Sequence, residues 1–274
     1  MTALPLVSIV IAAYNGQIFL RKQLDSLLSQ TYENIEIIAC DDCSIDSTLS
    51  ILKSYPSVII LQNEQNIGFV KTFEKVISEA KGDYIALCDQ DDIWLPEKIE
   101  TLVKEIGDTV LIHSDAYLID DNDNIMSNTS TSKVKKFLQN TTFADYLRTN
   151  SVTGCSVMLK KELLRYALPF PQHTQYHDWW LAICAAKVGK IKYLDIPLFK
   201  YRMHSSNASF TFYKNKLDFI KQSRKFYSEI FNRFKSSLSL KEFILLKLYA
   251  LYFFIFIRIL IKIGLFFPKI MRKR

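Results

Sequence analysis

Tyr84-Ile85-Ala86-Leu87-Cys88 is an apolar run that ends in three acids, Asp89, Asp91 and Asp92, with Gln90 between the first two. A run of this length with acids at both ends predicts a buried strand followed by a turn. Three carboxylates at one strand end repel one another, and a hard divalent cation with oxygen ligands removes that cost. Asp89 and Asp91 are two apart, so on an extended chain they point the same way; a turn lets Asp92 join them or turn away. Such a strand end suits a metal held for an anionic substrate, most simply a diphosphate. The competing reading of the acids alone is a solvated turn.

The elements that must position these acids alternate along the first 120 residues. Val7–Ala13, Ile35–Cys40, Val58–Leu61, Tyr84–Cys88 and Val110–Ile119 read as strands. Helical stripes lie between them: Phe19 to Leu28, Asp46 to Tyr55, Phe69 to Ala80, and a helix opening at Pro96. Alternation of this kind predicts an α/β fold with a mostly parallel sheet flanked by helices. Ligands of such sheets bind beyond the carboxyl ends of the strands. Tyr14-Asn15, Asp41-Asp42 and Asp89/Asp91 occupy three of those ends. Asp120 to Asn124 reads as a turn, because the glycine and terminal glutamate of a calcium loop are missing. Residues 127–150 are rich in Ser, Thr and Asn and predict a mobile surface segment. Thr153–Leu159 reads as strand, and Asp178–Val188 as helix.

The formal charge of +7 conceals an asymmetry. Residues 200–274 carry 17 Lys and Arg against Asp218, Glu229 and Glu242, a balance of +14, while residues 1–199 balance at −7. The chain therefore divides by composition into residues 1–210, a slightly acidic globular part, and residues 211–274, a basic helical extension that seeks anions. Within 240–267 the longest uncharged run, Leu248 to Ile257, is ten residues, short of the roughly 18 that span a bilayer. On a helix, Arg258, Lys262 and Lys269 fall about 20°, 60° and 40° from Lys247, so the cations share a stripe amid Phe and Ile. That predicts an amphipathic helix lying on an anionic membrane surface; the alternative is packing on protein. Phe254, Phe256, Phe266 and Phe267 sit in aliphatic company, which suits lipid better than base stacking, so nucleic acid is not an expected partner. Five cysteines, odd in number and mostly in apolar runs, predict reduced thiols. Cys40 and Cys43 have no second pair to complete a zinc site. Leu4 to Ala13 lacks a preceding basic region and reads as a first strand, not a signal peptide.

With these strand ends in place, the chain resembles the family 2 glycosyltransferases of GT-A fold over roughly residues 5–207. The resemblance rests on Val7-Ser8-Ile9-Val10-Ile11-Ala12-Ala13-Tyr14-Asn15, Leu28-Ser29-Gln30-Thr31-Tyr32, Asp41-Asp42-Cys43-Ser44-Ile45-Asp46-Ser47-Thr48, Asn66-Ile67-Gly68, Gly82-Asp83-Tyr84-Ile85 with the acids that follow, and His177-Asp178. Asp89-Gln90-Asp91-Asp92-Ile93-Trp94 is most similar to bacterial rhamnosyltransferase-like enzymes of surface-polysaccharide assembly.

The resemblance implies roles for matched positions. Ala12, Tyr14, Asn15 and Asn66 belong to the donor nucleotide site, and Asp42 accepts a hydrogen bond from the base. Asp91 binds Mg²⁺ or Mn²⁺, and Asp89 contacts the ribose or completes the metal shell. Asp178 is the catalytic base that takes the acceptor hydroxyl's proton during inverting attack; on sequence alone it also suits a helix N-cap. Arg202 and His204 reach the diphosphate or the metal, or else serve the structure; Trp179 and Trp180 wall the sugar, with one of them core; and Gly154 allows the sugar's close approach or serves packing. Cys43 stands where the family usually has glycine, which leaves that loop's conformation open. The implied reaction moves a sugar from a UDP- or dTDP-linked donor, dTDP-rhamnose among the candidates, to a lipid-linked saccharide at the cytoplasmic face of a bacterial membrane. The other readings are a sugar-nucleotide binder without turnover and a nucleotidyltransferase. The second would need a glycine-rich, lysine-containing loop near the first strand, which this sequence lacks.

Overall fold

Four apolar runs become the parallel half of one sheet in the computed structural model, which describes residues 4–129, 141–204, 216–249 and 251. β1 (Val7–Ala13) pairs with β2 (Ile35–Asp41) on one side and β4 (Tyr84–Cys88) on the other, and β2 pairs with β3 (Val58–Gln62), all parallel. These strands are buried at nearly every position of β1 and β4, which is why they lack polar alternation. The amphipathic helices α1 (Leu20–Leu28), α2 (Thr48–Lys53) and α3 (Phe69–Ser78) connect them. Leu20, Leu24 and Leu27 of α1, and Phe73, Val76 and Ile77 of α3, are buried in the core.

The sheet order is β3-β2-β1-β4-β8-β6-β9-β5. It reverses direction of growth between β1 and β4, which opens a crevice at their carboxyl ends. Ala13 lies opposite Asp41 and Ile11 opposite Cys88, so the three strand ends are level. Beyond β4 the pairing is mixed. β8 (Val157–Lys160) runs antiparallel between β4 and β6 (Leu111–Ile119), and β9 (Ile191–Arg202) is parallel to β6. The short β5 (Ile93–Trp94) pairs with β9 and β7 (Ile125–Ser127) with β6, both antiparallel. α4 (Lys98–Glu105) follows β5.

The predicted strand over Thr153–Leu159 is instead a single 3₁₀ turn at Gly154–Ser156 leading into β8. The expected mobile segment also differs. Residues 130–140 lie outside the described residues, but α5 (Phe143–Arg148) buries Tyr146 and Leu147 completely. Thr142 and Asp145 close a capping box at its start, so the polar residues there begin a helix. α6 (Leu164–Ala167) and α7 (His177–Val188) complete this part.

The chain forms two compact units, Met1–Phe170 with Tyr176–Ser205, and Pro171–Gln175 with Ser206–Arg274. In the second, α8 (Lys216–Phe234) buries Phe226, Tyr227, Ile230 and Phe234. Residues 240–249 form a further helix, opened by Ser239 and Glu242 bonded to each other. Tyr227 stacks on Tyr249 and Phe231 meets Phe243 edge-on. Among the described residues no helix is long and apolar enough to cross a membrane. The predicted stripe of Arg258, Lys262 and Lys269 lies outside the described residues.

Candidate active site

The loop after β1 and the loop after β2 are laced together by side chains reaching backbone. The Asn15 Oδ1 accepts from the Ile45 N–H at 2.9 Å, while the Asn15 N–H donates to Ser44 Oγ at 3.0 Å. The Gly16 N–H donates to Thr48 Oγ1 at 2.7 Å, and the Gln17 N–H to Asp46 Oδ2 at 3.1 Å. Asn15 sits at φ 48°, where asparagine is tolerated. Its carboxamide oxygen thus serves the loops rather than projecting freely. Tyr14 is exposed, Ala12 half-buried and Asn66 exposed, all on the carboxyl-end side.

Asp42 is almost wholly buried and strongly engaged. Its Oδ1 accepts from Asn63 Nδ2 at 2.8 Å and the Ile67 N–H at 2.9 Å, and its Oδ2 from the Gly68 N–H at 2.9 Å. Oδ1 is saturated, so any bond to a ligand uses the remaining lone pair of Oδ2. Cys43 adopts φ 61°, the left-handed conformation for which glycine is suited.

The acids after β4 divide by direction. Asp91 Oδ2 lies 2.8 Å from His204 Nε2, bringing together two of the residues expected to hold metal. Asp92 is fully buried; its Oδ1 accepts from the Arg202 N–H at 3.0 Å, and its Oδ2 has no hydrogen-bond partner. Asp89, Asp92 and the Cys155 thiol offer ligand atoms within 4.8 Å of one another. Burial pushes the Asp89 carboxyl up to about 7, helped by the charges of Asp91 and Asp178. Burial, then Asp91 and Asp89, also holds Asp92 well above the usual carboxylate range. A buried carboxylate oxygen without a hydrogen bond, mutual repulsion and one imidazole form a donor set that fits a hard divalent cation.

Asp178 is the second residue of α7. Its Oδ1 accepts from the Trp179 N–H at 2.6 Å and from Asn150 Nδ2 at 3.1 Å. Burial raises its pKa to about 6 against the pull of these bonds and of one from the Gly154 backbone. The charge of Asp178 acts on the Asp89 carboxyl, so the start of α7 lies close to the acidic cluster after β4.

Three of the residues expected at the ligand make their contacts within the protein. Arg202 does not reach outward: its side chain is fully buried, its Nε donates to the Asp91 carbonyl at 2.8 Å, and its Nη1 donates to the Asp120 carbonyl at 2.8 Å and pairs with Asp123 at 2.6 Å. It also lies over the Phe19 ring, so it clamps the acidic loop from behind. Gly154 makes room for protein: a Cβ there would meet His177 Nε2 at 2.9 Å. Trp179 is buried with its indole N–H donating to the Tyr146 carbonyl, so it packs on α5 instead of forming an open wall; Trp180 is core, bonded to the Ala167 carbonyl.

Sequence reasoning missed four residues. Gln90 pairs with the Tyr14 backbone. Lys98 is fully buried, donates to the Cys155 carbonyl at 2.6 Å and lies over the Trp94 and Phe199 rings. A cation on the apolar stripe of a helix just after an acid cluster was the available signal. His177 is buried with both ring nitrogens unpartnered, stacked on Phe73 at 3.8 Å. Asn150, which holds Asp178, sat in a stretch that gave no signal.

The family profile described as "Glycosyl transferase family 2" matches residues 8–167. The chain belongs to this family. An uncharacterised glycosyltransferase of Methanocaldococcus jannaschii is 31% identical over 212 residues, 73% of this chain and 71% of that protein. The dTDP-rhamnosyl transferase RfbG of Shigella flexneri is 31% identical over 213 residues, 72% of each. The chain spans about a third of a longer glycosyltransferase of Rickettsia felis, which is 32% identical over 219 residues (75% of this chain, 35% of that one). Among solved structures, Staphylococcus aureus TarS with UDP-GlcNAc superposes with TM-score 0.65 at 19% identity, over 83% of this chain and 67% of that one. The mannosyltransferase PcManGT of Pyrobaculum calidifontis, with GDP-Man and Mn²⁺, gives TM-score 0.62 at 16% identity, over 93% and 71%. The fold is thus the GT-A fold of this family, and the chain is a glycosyltransferase.

Proposed function

We propose that this glycosyltransferase is inverting and metal-dependent, and that it moves a sugar from a UDP- or dTDP-linked donor to a hydroxyl of a lipid-linked saccharide. The observation that carries the reading is the closeness of Asp178, raised by burial to about 6, to Asp89 in the acidic loop whose Asp91 meets His204. Tyr14 and Asp42 bind and orient the nucleotide. Asp89, Asp91 and His204 hold Mg²⁺ or Mn²⁺, which when bound neutralises charge on the departing nucleoside diphosphate. Asp178 orients the acceptor hydroxyl and takes its proton as the new bond forms, a contribution of roughly 10²–10⁴ in rate. Attack opposite the diphosphate inverts the anomeric centre. Similarity to RfbG supports dTDP-rhamnose as the first donor to test.

The basic, apolar tail supports a membrane-anchored acceptor and a peripheral or monotopic position for the enzyme at the cytoplasmic face of a bacterial inner membrane. The test is a panel of nucleotide sugars with Mn²⁺ or Mg²⁺, scored for nucleoside diphosphate release and transfer. Asp91→Ala and Asp178→Asn each abolish transfer. Undiminished release and transfer by both variants would refute the assignment.

A further inference from the structure

The helix over residues 240–249 is apolar on two faces. Phe243, Leu246 and Tyr249 turn inward: Leu246 is buried, Phe243 packs on Phe231 and Tyr249 on Tyr227. The other face is bare. Leu240 is 75% exposed, Ile244 48%, Leu248 54% and Leu251 53%. Relative to Leu240, the other three lie at about 40°, 80° and 20° around the axis, one contiguous strip. Lys241 and Lys247, both exposed, fall at about 100° and −20°, one along each edge of the strip. Lys247 lies over the Phe243 and Phe231 rings, which holds its charge beside the strip.

An apolar strip edged by lysines on both sides matches an anionic bilayer, with leucines entering the acyl boundary and ammonium groups level with the headgroups. Residues 206–274 hold 15 Lys and Arg against three acids, so this part of the chain is strongly net positive and attracted to an anionic surface. A second protein surface would need its own apolar patch bordered by acids; a lipid surface supplies both features at once. We infer that the Leu240, Ile244, Leu248 and Leu251 face is the surface by which this unit docks on an anionic lipid bilayer, with Lys241 and Lys247 at the headgroups. The inference rests on the membrane reading proposed above and assigns that contact to a described face rather than to residues beyond 251.

The test uses the full chain and vesicles of phosphatidylglycerol with phosphatidylcholine, compared with phosphatidylcholine alone. The variant carries Leu240→Ser, Ile244→Ser, Leu248→Ser and Leu251→Ser, with circular dichroism and thermal unfolding as folding controls. The wild type sediments with the anionic vesicles, and the fourfold variant binds them more weakly by on the order of 100-fold. Lys241→Glu weakens binding to anionic vesicles and leaves the neutral ones unaffected. Wild-type binding by a folded fourfold variant overturns this face while sparing the membrane reading. Failure of the wild type to bind either vesicle overturns both. A wild-type dimer in solution that the variant lacks, without vesicle binding, assigns the face to a second copy of this chain and overturns the inference.

Discussion

Gln90 and Tyr14 are joined like two halves of a base pair: the Gln90 Oε1 accepts from the Tyr14 N–H at 2.8 Å, and the Gln90 Nε2 donates to the Tyr14 carbonyl at 3.1 Å. The amide side chain between two metal-loop acids thereby fixes the backbone of a residue expected at the nucleobase. A Cβ on Gly16 would stand 2.3 Å from the Gln90 Oε1, so an alanine there would displace the Gln90 amide from this position. Gln90→Ala raises the donor KM about fivefold with kcat less affected, because one partly exposed backbone clamp is lost. Gly16→Ala displaces the same amide and has a similar effect. Equal donor KM in the wild type and both variants would remove Gln90 from nucleotide binding.

Lys98 places one buried positive charge under the acidic cluster, and burial lowers its pKa to about 8. Its ammonium also holds the Cys155 carbonyl, next to the glycine that faces Asp178. Lys98→Met leaves the acids without this counter-charge and costs about 3 kcal/mol of stability in metal-free buffer. Added Mn²⁺ restores part of the loss, so the rise in Tm on adding Mn²⁺ is larger for the variant than for the wild type. An identical Mn²⁺ shift in both proteins would show that Lys98 does not share the cluster's field.

Asp89 has a folded-state pKa raised to about 7, well above its unfolded value. The folded chain therefore holds a proton that the unfolded chain releases. The associated stability is complete below about pH 4 and is lost as pH rises towards 7. In chelator the Tm falls across that window, and with Mn²⁺ the fall is reduced, because the cation stabilises the ionised acids. Thermal unfolding at stepped pH with and without Mn²⁺ measures this directly.

Asp178 must be ionised to accept a proton, and its pKa stands at about 6. At saturating Mn²⁺, kcat/KM therefore falls on the acid side, approaching tenfold per pH unit below that value. Asn150→Ala removes a hydrogen bond to the carboxylate and moves the acid limb upward by roughly half a unit to one unit. A limb that stays in place in the variant would dissociate Asn150 from the base.

His177 fills the space that Gly154 leaves, and burial drives its pKa down to about 3, so it is neutral at working pH. With both ring nitrogens unpartnered, it acts here as a flat plate between Phe73 and the Gly154 turn. His177→Phe preserves the plate and keeps the wild-type pH profile. Gly154→Ala pushes on the ring beside Asp178 and lowers kcat on the order of 100-fold, with donor KM little changed. Loss of activity in His177→Phe equal to that in His177→Ala would show that the imidazole nitrogens matter.

The parallel strands were legible because each is an uninterrupted apolar run closed by polar residues, and the residues that close them, Tyr14, Asp42, Asp89 and Asp91, mark the carboxyl end of the sheet by chain order alone. The antiparallel entry of β8 was not legible, since pairing with β4 and β6 depends on residues far apart in sequence. Arg202 misled for a related reason: an arginine on a strand end looks like a phosphate ligand until tertiary packing buries it against Phe19 and the Asp120–Asn124 turn. Gly154 and His177 were read separately, although their meaning lies in the contact between them. Cys43 posed the converse problem, a residue poorly suited to a conformation that the loop nevertheless imposes.

The stitching of the β1 loop to the β2 loop through Asn15, Ser44, Asp46 and Thr48 has an engineering corollary. Donor preference cannot be transplanted from a relative by exchanging either segment alone, since each would arrive without the backbone partners that shape it. Chimaeras should carry residues 14–17 and 44–48 as a single cassette.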